Sequence, residues 1–180
     1  METKARILSA AQIAFAEKGY SHANLRDIAG QAGVAPSLVI KHFGTKQNLF
    51  AEALAKTLQD AEVSPEDRSG FGERLVGVLL NPQIRVLTPA MIALSLEDED
   101  ARQVAASVTK DHIIVPLAAW LGPPDAEARA ANLLMLSIGF ALFQRHLKAG
   151  ISPQAREISA RWFAKQIQGV INNAPDASAG

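Results

Sequence analysis

The side chains that could do chemistry in this chain are few, and their spacing argues against catalysis. The four histidines, His22, His42, His112 and His146, lie far apart, and no two stand four residues apart as a helical metal pair would. There is no cysteine, which removes disulfides, thiolate metal sites and a cysteine nucleophile together. No glycine-rich phosphate loop, His-Glu-Xaa-Xaa-His pair or serine elbow is present. No catalytic residue, metal or cofactor is therefore expected. What remains is a cluster of another kind: Ser37, Leu38, Lys41, His42, Thr45 and Lys46 fall within ten residues, close behind Asn24 and Arg26. Hydroxyls, an imidazole and ammonium groups at that density can reach base edges and phosphate oxygens.

Charge distribution points the same way. The whole chain balances 18 cationic against 18 acidic residues. Residues 1–50 nevertheless carry Lys4, Arg6, Lys18, Arg26, Lys41 and Lys46 against only Glu2, Glu17 and Asp27, about +3, which leaves the remainder acidic. A composition 48% hydrophobic and 6% aromatic describes a globular chain with a packed core.

The elements that must position this cluster are helices. Ile7, Leu8, Ala11, Ala14 and Phe15 recur at helical spacing, and Lys18-Gly19 closes the first helix. Asn24 to Asp27 has the form of a capping box, with Asn24 accepting from the first turn and Asp27 reaching back. A second helix follows to Ala32. Gly33 permits a tight turn, and Pro36 suits the first turn of a short third helix, about 36–42. Thr45 caps a fourth that carries Leu49, Phe50, Ala53, Leu54 and Leu58 on one face. Further helices are expected from Ser64-Pro65 to the break at Asn81-Pro82, from Thr88-Pro89 through Leu96, from the acidic run Glu97–Asp100 to Leu121, over 128–147 after Gly122-Pro123-Pro124-Asp125, and from Ser152-Pro153 to about Ile171. No strand pattern appears. The expected fold is all-α with about nine helices: a three-helix head at 1–46, a helical body at 47–172 and a tail at 173–180.

Ala29, Gly33, Val34 and Val39 meet the needs of a helix-turn-helix: a small residue at the crossing, a glycine in the turn and an apolar inner face. Two helices of an ordinary bundle fit the same local pattern. The larger block decides, because residues 3–50 resemble the TetR family of transcriptional regulators. The likeness runs through Arg6-Ile7-Leu8-Ser9-Ala10-Ala11, Phe15-Ala16-Glu17-Lys18-Gly19-Tyr20, Asp27-Ile28-Ala29, Ala32-Gly33-Val34, His42-Phe43-Gly44-Thr45-Lys46 and Leu49-Phe50. It implies contact with double-stranded DNA through Asn24, Arg26, Pro36, Ser37, Leu38, Lys41, His42, Thr45 and Lys46. One departure stands out: Ile40 holds the place of the family's recognition-helix tyrosine, so its phosphate contact must come from elsewhere.

The resemblance further implies a homodimer on an inverted-repeat operator, acting as a repressor released by a small effector. Low aromatic content favours a lipophilic effector, and residues 1–6, unlike a signal peptide, lead to the expectation of a cytoplasmic protein. For the dimer interface the apolar run 133–143 and the last helix offer Leu134, Ile138, Leu142, Ile158, Trp162 and Ile167, with Phe163, Val170 and Ile171 adding area, although an internal core fits those residues too. For a ligand pocket, Pro116 excludes the backbone bond to the His112 carbonyl and predicts a kink. His112 with Met91, Leu94, Trp120, Phe140 and Phe143 is the candidate lining, ordinary core packing being the alternative. No membrane segment is expected, since the uncharged apolar run 133–143 is shorter than the roughly 20 residues a bilayer needs. A DNA-binding dimer without a ligand and an all-helical enzyme are the competing functions.

Overall fold

Helical spacing of apolar side chains dictates helices that must bury one stripe each, and the chain satisfies this with two separate cores. The structure is a computed structural model that describes residues 2–59, 67–147 and 149–172. Among these, every regular element is helical: α1 Thr3–His22, α2 Leu25–Ala32, α3 Pro36–Phe43, α4 Lys46–Gln59, α5 Phe71–Leu80 and α6 Thr88–Ser95, then α7 Glu99–Leu121 and α8 Ala126–Leu147, and α9 Pro153–Asn172. The expected helix start at Ser64-Pro65 and the tail at 173–180 lie outside the described residues.

The first compact unit joins Met1–Ala61 to Leu87–His112. Its core holds Ile7, Phe15, Ile28, Val39, Leu49, Phe50 and Met91, with the rings of Phe15 and Phe50 meeting edge to face at 5.1 Å. Gly19 breaks α1 with φ 74° and ψ 171°, as Lys18-Gly19 predicted. A Cβ there would stand 3.2 Å from Cβ of Leu94, so the glycine also lets α6 approach. The second unit joins Glu62–Val86 to Ile113–Gly180 around Phe71, Leu121, Leu133, Phe140, Phe163, Ile167 and Ile171. Division by packing falls at 61, 86 and 112, because α6 and the first part of α7 share the core of the N-terminal helices.

Pro116 leaves a clear mark. Residues Lys110–Ile114 just before it are π-helical, so α7 continues past the missing N–H by widening one turn. A second π-helical stretch, Leu142–Leu147, ends α8. Both helices are long and apolar enough to cross a bilayer by length and composition, which the run at 133–143 does not convey. Arg129 of α8 is buried, its guanidinium donating to the carbonyls of Val170 and Ile171 at 2.9 Å and of Gly122 at 3.0 Å, so this helix is tied into a protein core.

In the second unit α5 packs closely on α9 at Gly72. A Cβ at Gly72 would run into the Ala164 carbonyl, whereas one at Gly77 would meet nothing. Gly72→Ala is expected to cost about 1–3 kcal/mol of stability, and Gly77→Ala to add about 0.5–1 kcal/mol, both read from urea unfolding midpoints.

Candidate nucleic-acid interface

The second and third helices are held at a fixed angle by their turn. Gly33 adopts φ 64° and ψ 42°, the left-handed conformation that closes α2. The Arg6 guanidinium of α1 donates to the carbonyls of Ala32 and Gly33, the latter at 2.9 Å. A Cβ on Gly33 would come within 2.6 Å of Arg6 Nη2, so glycine is required twice over, for its backbone and for the strut. Asn24 caps α2 by accepting from the Arg26 N–H at 2.8 Å. Asp27 does not complete the expected capping box; it meets Lys18 at 3.4 Å on the surface, because Lys18 ends α1 within its reach.

In α3, Val39 and Phe43 are buried one turn apart, which turns Ser37, Ile40 and Lys41 outward, and Pro36 is exposed as the first residue of the helix. His42 is exposed beside the Phe43 ring, and Leu38 is half-buried. Thr45 Oγ1 accepts from the Asn48 N–H at 3.0 Å and caps α4. Arg26 and Lys41 are exposed cations with no carboxylate partner among the described residues. Lys46 is engaged differently: its ammonium donates to the Ser21 carbonyl at 3.3 Å and lies 4.5 Å from the centre of the Tyr20 ring. Burial lowers the Lys46 pKa from its ordinary value, against an upward pull from Asp98. Burial first, then Asp98 and Asp100, raises that of Tyr20.

The DNA-facing candidates therefore lie together around one helix-turn-helix. Arg6, which locks it, stood in the sequence only as part of a resemblance; its partners are 26 and 27 residues away, beyond any local pattern.

The other candidates divide. Leu134, Ile138 and Leu142 are half-buried on α8, and Ile158 and Trp162 are 53% and 55% exposed on α9. Ile167 is fully buried in the second core with Phe163 and Ile171, since α9 turns that stripe toward α5 and α8. Met135, 63% exposed, was missed because the run around it is apolar on every side and hides which face is free. The six pocket candidates are distributed over both units. Met91 is buried in the first core and bonded through its sulfur to Thr57, and Leu94 packs by Gly19. His112 is exposed on the π-helical turn. Phe140 stacks on Phe163 at 4.1 Å, Trp120 meets Phe71 at 5.5 Å, and Phe143 is half-buried, all in the second unit. No group of three or more His, Cys, Asp or Glu that could hold a metal occurs among the described residues.

A cationic recognition helix projecting from a locked helix-turn-helix, followed by further helices, defines a DNA-binding regulator as the class of protein. A family model for bacterial regulatory proteins of the tetR family matches residues 7–53. A second, for the tetracyclin repressor-like C-terminal domain, matches residues 69–171. The chain belongs to the TetR family. It is 37% identical over 78 residues to an HTH-type transcriptional repressor of Streptomyces coelicolor, a match spanning 41% of this chain and 41% of that protein. Among solved structures, a candidate TetR-family transcriptional regulator from Rhodococcus sp. aligns with a TM-score of 0.76 at 20% identity over 94% of this chain and 98% of its own, a likeness of fold. A TetR-family regulator of Streptomyces coelicolor aligns with a TM-score of 0.51 at 27% identity over 94% of each chain.

Removing the strut tests the geometry. Arg6→Met is expected to lower stability by about 1–3 kcal/mol in urea unfolding, the cost of leaving partly buried carbonyls without their charged donor.

Proposed function

We propose that the chain is a homodimeric transcriptional repressor that binds an inverted-repeat operator and leaves it when a small lipophilic effector binds its helical body. The observation that carries this reading is the outward face of α3, where Ser37, Ile40 and Lys41 stand clear of the protein on a helix whose other side is locked in the core. Ser37 and Pro36, at the start of that helix, approach base edges in the major groove. Ile40, 50% exposed where the family has a tyrosine, offers an apolar contact of the kind a thymine methyl accepts. Lys41, His42 and Arg26 take phosphates, with Thr45 and the N-terminus of α4 beside them; Lys46 joins them by turning from Ser21.

Dimerisation is supported by the second unit alone. Met135 on α8 and Ile158 and Trp162 on α9 form exposed apolar surface, and Gly139 and Gly169 on the same two helices have open space where a side chain would be. A second copy covers such a surface with a four-helix contact, and its two-fold axis requires an inverted-repeat site. An effector that binds better to the conformation with misplaced heads must weaken operator affinity by its differential free energy, commonly about 1–3 kcal/mol. Such a protein works in the cytoplasm, where the DNA is.

Selection from random duplex pools at two salt concentrations tests the whole reading. An enriched inverted repeat is expected; binding that remains non-specific and vanishes with salt would overturn it. On that operator, Lys41→Ala and Arg26→Ala should each flatten the dependence of log K on log salt by about one unit. Trp162→Glu should shift the protein to monomer in sedimentation at micromolar concentration and abolish tight operator binding, with far-ultraviolet circular dichroism unchanged.

A further inference from the structure

The second unit contains a wide cavity of about 870 Å³ between the C-terminal half of α5, the N-terminal half of α9 and the π-helical end of α8. Its volume is that of a small-molecule pocket. Val76, Leu80, Pro82 and Ala160 make its walls apolar. None of the pocket residues expected from the sequence lines it. One wall residue is anomalous: Gln144 is 9% exposed, and its side-chain Nε2 is buried with no hydrogen-bond acceptor among the described residues. Buried amide groups are nearly always paired, and one left unpaired calls for a partner.

The neighbouring arginines cannot be that partner, since a guanidinium only donates, and both are engaged elsewhere. Arg145 spends its guanidinium on the carbonyls of Leu79, Asn81 and Ile84 at 2.6, 2.6 and 2.9 Å, and burial lowers its pKa. Arg161 is paired with Glu157 at 2.5 Å. What is left at the cavity is one cation and one carboxylate, Arg156 and Glu73, which together select neither sign of ligand. The widened turn carries Gln144 and Arg145 side by side, and π-helical turns are frequent where a helix is shaped for a ligand.

We propose that this cavity is the effector site, and that it takes a small molecule with an apolar body and one carbonyl or carboxylate oxygen that accepts from Gln144 Nε2. The proposal rests on the reading of the chain as an effector-responsive regulator. The site is also placed to act: Arg145 fastens the end of α5 and the turn through Ile84, and the chain runs from there directly into α6, whose Leu94 packs against Gly19 of α1.

Decanoate and 2-decanone serve as acceptor-bearing probes and decyltrimethylammonium as the acceptor-free one, with binding to the full chain followed by calorimetry. Gln144→Met keeps length and volume while deleting the amide. It should weaken decanoate and 2-decanone by about 5- to 10-fold, the loss of one hydrogen bond, and leave decyltrimethylammonium unchanged. The same variant without probe should melt about 2–4 °C higher, since an unpaired buried donor is gone. Leu80→Trp, at a position 42% exposed, fills the cavity and should abolish binding of all three. Tighter binding of decanoate would identify the acceptor as a carboxylate, and tighter binding of 2-decanone as a neutral carbonyl. Absence of binding by both acceptor-bearing probes, equal affinities in Gln144→Met, or binding that survives Leu80→Trp would overturn the proposal. Probes that bind as expected but leave the operator occupied would instead refute the effector reading while the site stands. An effector that releases operator equally from wild type and Leu80→Trp would do the reverse.

Discussion

Every helix ends with carbonyls that no further turn can satisfy, and in this protein arginines reach across the sequence to satisfy them. Arg6 does so for the end of α2, Arg68 for Trp120 and Leu121 at the end of α7, Arg129 for the end of α9, and Arg145 for the end of α5. A cation at a helix C-terminus also meets the negative end of the helix dipole, so each contact combines hydrogen bonding with favourable field. These four side chains fix where helices stop and which turns follow. The helix-turn-helix, the Gly122–Pro124 loop and the turn after α5 all depend on them.

That use of arginine separates structural from functional charge. Arg6, Arg129 and Arg145 point at backbone within the protein, whereas Arg26 and Lys41 are exposed with no carboxylate among the described residues to hold them. A chain whose formal charge is zero can thus present a cationic surface on one small head. Lys46 stands between the two classes, engaged with Ser21 and Tyr20 yet half-buried at the start of α4.

The same principle gives the cavity of the second unit its character. Arg145 is consumed by carbonyls and Arg161 by Glu157, and Arg156 and Glu73 offset each other in sign, which leaves the neutral Gln144 amide as the unpaired buried group of the wall. Specificity in such a pocket comes from one directed hydrogen bond within apolar walls, not from charge.

Local chemistry was legible from the residues alone. Gly19, Gly33 and Pro36 mark the ends and starts of α1, α2 and α3, Thr45 caps α4, and Pro116 predicts a disturbed turn that the structure resolves as π-helix. These signals act within four residues, the reach of one helical turn, so sequence determines them directly. Faces of helices were legible only where polar residues interrupt the apolar pattern: the outward side of α3 was readable, but α8 is apolar all round, and its free stripe at Met135 was not. Only tertiary packing decided that Ile167 faces inward while Ile158 and Trp162 face out, that α6 shares a core with α1, and that His112 is exposed. Each of these turns on which of several apolar stripes finds a partner far along the chain, and burial free energy is set by that contact and not by the residue's own neighbours in sequence.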